Sequence, residues 1–324
     1  MMAIMARIAA ELAGARRVFL AAHRDPDGDA LGAVLGLGHL LKAQGKEVFA
    51  HLAGEVPAEY RFLPGVEAMR ADLPEASWPD LAVLLDCHEP ARAGRLAEEF
   101  LPRLGRVAVV DHHLGEPGFG QEVWVEPGFA ATCEMLALMA GQAGWAMGVE
   151  AATCLFVGVQ TDTGRFAYSN TRPRTLRLAA DLVEAGADPW AITQEAYANS
   201  LPRLQLMARV FAGLKLLGGG RAALARVSLA DLAELGAVPS DLDRLVEEMR
   251  ALRGVEVAAL LKEVKDGGVK ASLRARGRVD VGALAIGLGG GGHRNAAGMK
   301  LEGGLDQAEA RLSALLAAAL EGAA

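Results

Sequence analysis

Aromatic residues are scarce in this chain. Phe, Trp and Tyr make up 5% of its 324 residues, with three Tyr and four Trp, which leaves no long platform for stacking the bases of an extended single strand. Positive charge is not in excess either. A formal net charge of −7 excludes a track that holds long nucleic acid by bulk electrostatics, though not a small anion held by a few arginines and a metal. Cysteine is rare: Cys87, Cys133 and Cys154 form no CxxC pair and their number is odd. Such a pattern indicates reduced thiols in a cytoplasmic protein, and small core residues rather than nucleophiles. No uncharged apolar run reaches the length of a membrane span. The N-terminal seventeen residues, with Glu11 inside them, predict an amphipathic helix rather than a signal peptide.

What the chain does have is apolar sequence in short pieces. Hydrophobic residues reach 52% and charged residues 23%, enough for large cores, and the length suits two domains. Val18-Phe-Leu-Ala-Ala22, Leu81-Ala-Val-Leu-Leu85 and Val107-Ala-Val-Val110 are continuous apolar runs, separated by helical stretches such as Ala30–Leu41 and Ala130–Ala140. That alternation predicts α/β structure with a parallel sheet covered by helices on both faces. Each run hands over to acids or histidines: His23-Arg-Asp-Pro-Asp-Gly-Asp29, Asp86, and Asp111-His112-His113. In a parallel sheet these ends share one edge, where open α/β sheets bind their ligands. The apolar stretch 150–161 is ambiguous between helix and strand; it leads into Asp162-Thr163-Gly164, and Asp162 is grouped with the strand ends.

Further along, 222–228, 255–264 and 268–275 predict strands, 240–252 and 281–288 helices, and 306–320 a closing helix, with Gly289-Gly-Gly-Gly-His293 between the last two. The expected organisation is a larger α/β domain over 1–185 that carries the Asp and His clusters, a helical linker over 186–217 and a smaller α/β domain over 218–324.

Bare carboxylates are costly to bury, so His23, Asp25, Asp27, Asp29, Asp86, Asp111, His112, His113 and Asp162 call for cations if they converge. Carboxylate oxygen with imidazole nitrogen and no thiolate suits Mn²⁺ or Mg²⁺ better than structural zinc. Four separated acids point to two ions, which clamp attacking and leaving oxygens at phosphorus while a metal-bound hydroxide attacks. Taken singly, the Asp-rich turn has a solvated helix cap as its alternative reading, and Asp86 would serve equally as a helix cap. His51 and His88 are read as structural residues.

The set HRDPDGD, Asp86, Asp111-His112-His113 and Asp162-Thr163-Gly164 resembles the four successive motifs of the DHH phosphoesterase superfamily. Gly289–His293 with Ala296-Ala-Gly298 resembles its C-terminal DHHA1 signature. The similarity covers nearly the whole chain and is nearest to the bacterial nanoRNase branch, oligoribonucleases that also remove the 3′-phosphate of pAp (adenosine 3′,5′-bisphosphate). The resemblance implies two divalent ions, Mn²⁺ first and Mg²⁺ second, with His23, Asp27 and Asp86 on one and Asp29, Asp86, His112 and Asp162 on the other. It implies His113 as acid or electrostatic stabiliser at the phosphate, Asp25 as an orienting or proton-transfer group, and Asp111 as support for its neighbours. Ser272, Arg274, Gly290, Gly291, Gly292, His293 and Arg294 match the substrate-side signature, where glycines let backbone N–H groups approach an anion and a helix N-terminus adds its dipole.

Ala33 and Ala275 stand where relatives often carry Ser, which bears on fine substrate contacts only. The expected partners are short RNA or DNA oligonucleotides and nucleotide bisphosphates, with no membrane and with a homodimer as the candidate assembly. Competing expectations are a cyclic or linear dinucleotide phosphodiesterase, a family II pyrophosphatase, a RecJ-like exonuclease, and a catalytically silent nucleotide sensor. The pyrophosphatase carries a different C-terminal basic motif, and the exonuclease a longer chain.

Overall fold

The computed structural model describes residues 2–115, 117–242, 244–265, 267–276 and 278–322, with only the backbone at 293 and 322. The chain forms two compact units, Met1–Ala198 and Asn199–Ala324.

The first unit is built on five parallel strands: β1 (Arg17–Ala21), β2 (Glu47–Ala50), β3 (Leu81–Leu85), β4 (Val107–Asp111) and β5 (Glu122–Val125), in the order β2-β1-β3-β4-β5. Every residue of β3 and β4 is buried, which is why these strands read as unbroken apolar runs. Side chains alternate between faces. Val18, Leu20, Val83 and Val110 join one core, while Phe19, Leu84 and Val109 join Phe49, Leu96 and Phe100 in the other. The helices are α1 (Met2–Gly14), α2 (Gly28–Ala43), α3 (Pro90–Ala93), α4 (Thr132–Gln142), α5 (Val149–Asp162), α6 (Pro173–Glu184) and α7 (Pro189–Ala196). The chain leaves β1 for β2 on one side and returns to β3 on the other. The crevice beyond the carboxyl ends of β1 and β3 is therefore the switch point of the sheet.

α2 is apolar nearly all round and thirteen of its sixteen residues are buried, as expected for a helix enclosed by neighbours. Missing side chains let it approach the others. A Cβ on Gly32 would lie 2.5 Å from the Cys154 carbonyl oxygen, and one on Gly158 of α5 would lie 2.6 Å from Asp29 Oδ1. The ambiguous stretch 150–161 is thus a helix, and Asp162 is its last residue, not a strand end. Asp29 is likewise in the first turn of α2. The strand β5 was not predicted: it is four residues long with one fully buried side chain, too short for a periodic signal.

The second unit contains α8 (Leu201–Ala212), β6 (Lys215–Leu217), β7 (Ala222–Val227), α9 (Leu229–Leu235), α10 (Leu245–Ala251), β8 (Val257–Glu263), β9 (Val269–Ala275), α11 (Val281–Ile286), β10 (Gly291–His293), β11 (Ala296–Leu301) and α12 (Leu305–Gly322). Its sheet order is β10-β11-β9-β8-β7-β6, antiparallel except for β7–β8. α11 and α12 cover one face, and α8, α9 and α10 the other. The Gly289–His293 run does not open a helix. It follows α11 and enters a β-hairpin, so the expected helix dipole at this loop is absent.

Candidate metal centre

The chain leaves β1 through His23, whose Nδ1 lies 2.7 Å from the Arg24 carbonyl oxygen and donates to it. That bond fixes the tautomer and turns Nε2 inwards, 3.3 Å from Asp86 Oδ2 and 3.9 Å from Asp27 Oδ1. Asp27 is the N-cap of α2; its Oδ1 accepts the N–H groups of Asp29 and Ala30, and its second oxygen makes none of these capping bonds. Asp25 is exposed, has φ +54° and joins none of the ligand groups.

Asp29 is fully buried at the N-terminus of α4, a helix whose N-cap is Ala131 and which has no side-chain cap of its own. The Asp29 carboxylate takes that place, accepting the Thr132 N–H at 2.6 Å and the Cys133 N–H at 2.9 Å. A carboxylate is favoured there by the free N–H groups and the helix dipole.

Asp86, directly after β3, adopts φ +56°, a conformation that non-glycine residues seldom take and that recurs at functional sites. Its Oδ1 accepts the Thr132 hydroxyl at 3.2 Å and lies 3.6 Å from His112 Nε2 and 3.3 Å from His113 Nδ1; its Oδ2 faces His23. His112 Nε2 is also 3.0 Å from Asp162 Oδ2 and 3.7 Å from Asp29 Oδ2. Three groups of potential ligand atoms result among the described residues: His23, Asp27 and Asp86; Asp29, His112 and Asp162; and Asp86 with Asp111, His112 and His113. Within each group the atoms lie within 4.8 Å of one another.

The electrostatics fit a cation. Burial, then the charges of Asp86 and Asp162, push Asp29 well above the usual carboxylate range. Asp162 is raised by burial too, with Asp27 and Asp86 adding to it against the opposing influence of the nearby His112. Burial opposes charging of His112, but Asp162, Asp29 and Asp86 outweigh it and raise its pKa to about 9. For His113 the same opposition is overcome by Asp111 and Asp86, to about 10. Burial would raise Asp86, yet the imidazoles of His113 and His23 beside it hold it below the normal value. Protons therefore occupy places that a divalent ion would take, and metal binding would release them. His23 Nε2, His112 Nε2 and Asp86 Oδ2 are buried without a hydrogen-bond partner among the described residues, an arrangement that costs about 1–3 kcal/mol per atom unless a ligand satisfies it.

The substrate-side residues lie in the second unit. Ser272 and Arg274 share one face of β9, opposite Gly298 and Ala296 of β11. Arg274 Nε donates to Glu247 Oε1 at 2.7 Å and Nη1 to the Leu273 carbonyl. Arg294 is exposed, with Nη2 on the Arg278 carbonyl at 3.3 Å. Gly290 and Gly292 have packing reasons to be glycine: a Cβ would come within 2.4 Å and 2.5 Å of the Gly298 and Ala296 carbonyl oxygens. Gly291 has open space on its Cβ side. The His293 side chain, predicted to contact the anion, lies outside the described residues.

Thr132 was not foreseen. It meets two of the acids through its N–H and hydroxyl, and its only sequence signal is a Thr at the start of a helix without an N-cap side chain. All three cysteines are free and buried, and burial pushes the Cys87 thiol up to about 12, as suits core residues.

A doubly wound parallel sheet with carboxylates and imidazoles at its switch point, followed by a second α/β unit, defines a class of two-domain metallohydrolases. Family models narrow this: the DHH family N-terminal domain matches residues 17–159 and the DHHA1 domain residues 232–322. The bifunctional oligoribonuclease and PAP phosphatase NrnA of Thermus thermophilus is 36% identical over 296 residues, covering 91% of this chain and 87% of that protein. Its namesake in Mycoplasma genitalium is 31% identical, covering 85% and 86%. The crystal structure of an exopolyphosphatase-related protein from Bacteroides fragilis superposes with a TM-score of 0.89 at 25% identity, over 96% of this chain and 95% of that one. The chain belongs to the DHH–DHHA1 family of phosphoesterases.

Proposed function

We propose that this protein hydrolyses short oligoribonucleotides to mononucleotides and pAp to AMP, using two divalent ions, Mn²⁺ in preference to Mg²⁺. The observation that carries this is Asp86: one carboxylate oxygen faces His23 and the other His112, so a single side chain can serve both ions. His23, Asp27 and Asp86 would hold one ion, and Asp29, Asp86, His112 and Asp162 the other. Relatives named for oligoribonuclease and PAP phosphatase activity, similar over most of the chain, support the substrate assignment.

A divalent pair supplies Lewis acidity at phosphorus and a nucleophile at neutral pH. The protein supplies the rest. His113 gives its Nδ1 to Asp111 Oδ1 at 2.8 Å, which leaves Nε2 to stabilise the phosphoryl oxygens or to protonate the leaving oxygen. Asp25, on the same turn as the ligands, is the group that orients them or passes a proton to solvent. In the second unit Arg274, Ser272, Arg294, His293 and the Gly290–Gly292 backbone would hold the part of the substrate that does not react. An acidic chain with few aromatics gives little for a longer strand to bind, so activity should fall with length. No helix of the described residues is long and apolar enough to cross a membrane; together with three free thiols this supports placement in the cytoplasm.

The test is a panel of initial rates at equal Mn²⁺: pAp, RNA and DNA from a dinucleotide to about two dozen nucleotides, cyclic dinucleotides, and pyrophosphate. The expected order puts pAp and the shortest RNA first. Rates that hold or rise towards the longest strand would move the function to a RecJ-like exonuclease, and selective turnover of a cyclic dinucleotide to a signalling phosphodiesterase.

A further inference from the structure

His88 lies two residues beyond Asp86 and outside all three ligand groups. Its sequence context suggests nothing beyond a core histidine. In the structure its side chain is 1% exposed, and Nδ1 lies 2.5 Å from Oδ2 of Asp111, itself 0% exposed. The other oxygen of Asp111, Oδ1, accepts the backbone N–H of His113 at 3.0 Å and His113 Nδ1 at 2.8 Å. The carboxylate is thus divided, one oxygen to His88 and one to His113. We propose that His88 is a positioning residue for His113: by holding Oδ2 it fixes the plane of the Asp111 carboxylate, keeps Oδ1 aimed at His113 Nδ1, and so sets the imidazole with Nε2 free for the phosphate. This rests on the role given to His113 above.

Packing alone does not explain a histidine here. Among the described residues its Nε2 is buried with no hydrogen-bond partner, and the nearest carboxylate oxygen, Glu89 Oε1, is 4.0 Å away. A leucine would fill the space without that cost. What leucine lacks is a donor for a buried carboxylate, and charge-assisted bonds of this kind fix geometry strongly. The segment that carries His113 is also fitted around His88. A Cβ on Gly115 would stand 2.5 Å from His88 Nε2, and the Gly118 N–H donates to the His88 carbonyl at 3.0 Å. Side chains that orient an active group through one intermediary typically account for about 10–100-fold in activity.

The experiment compares His88→Leu, His88→Asn and His88→Gln with His113→Gln, measuring kcat and KM on pAp together with Mn²⁺ binding. Asparagine places its amide nitrogen where Nδ1 lies; glutamine places it one bond too far. His88→Leu is expected to lower kcat by about 10–100-fold with KM and bound Mn²⁺ unchanged. His88→Asn should restore most of that turnover and His88→Gln little. If His113→Gln keeps full turnover, the role of His113 falls and this inference with it. If His113→Gln is inactive while His88→Leu keeps its kcat, this inference alone falls. Should the leucine variant not fold, the polar pair decides: equal turnover of the asparagine and glutamine variants overturns the proposal.

Discussion

The ligand cluster of the first unit and the polar face of β9 in the second are built to different standards. In the cluster the key groups are gripped from behind. His23 is held by the Arg24 carbonyl, Asp29 by two N–H groups of α4, Asp86 by Thr132, and His113 by Asp111. On β9, Arg274 pairs with Glu247, and the exposed Arg294, outside that strand, reaches only a carbonyl among the described residues. Chemistry at phosphorus demands preorganised groups, whereas contacts to the remainder of a substrate need only give binding energy. Substitutions in the first region should therefore act on kcat, and those in the second on KM.

The largest effect is expected for Asp86→Ala. It removes the carboxylate whose two oxygens face His23 and His112, and several kcal/mol of stabilisation should go with it, about three orders of magnitude in kcat or more. Circular dichroism should show the fold retained. Near-normal turnover would end the distinction between the two regions.

Arg274→Ala sharpens the comparison from the other side. A charge-assisted contact contributes about 1.5–3 kcal/mol, so KM for pAp should rise about tenfold or more while kcat changes little. A collapse of kcat with KM unchanged would place Arg274 with the chemistry instead.

A smaller effect concerns stability without metal. His112 and His113 have folded pKa values raised to about 9 and about 10 from 6.5. Their contribution is fully present below pH 6.5 and is lost as pH rises through those values. Thermal melts in chelator should therefore decline from about pH 6.5 to about pH 10. Added divalent metal should reduce or reverse the decline, because deprotonated ligands bind it. Identical pH profiles with and without metal would show that the cluster does not exchange protons for cations.

The first region was largely legible in the sequence because its parts are local. Strands buried on both faces leave unbroken apolar runs, and each run ends visibly in Asp or His, so the sheet and the residues at its switch point could be expected before any coordinates. Asp162 lies beside Asp29 and His112 but on a helix rather than at a strand end, since the small and apolar residues of 150–161 are buried as a helix and periodicity alone cannot separate that from a strand. Thr132 and His88 were illegible for a different reason. Their importance comes from partners 46 and 23 residues away, and nothing in their own neighbourhood announces those partners. In the second unit the glycine run at 289–292 was visible but its conformation was not: Gly290 and Gly292 answer to the close approach of β11, a demand set by hairpin pairing.

The most direct measurement is metal stoichiometry coupled to turnover. Protein stripped with chelator should be inactive on pAp. Titration with Mn²⁺ should restore activity as two ions bind per chain, and Asp86→Ala should weaken both sites together. One ion per chain at full activity, or turnover that persists in chelator, would contradict a centre in which Asp86 serves two ions.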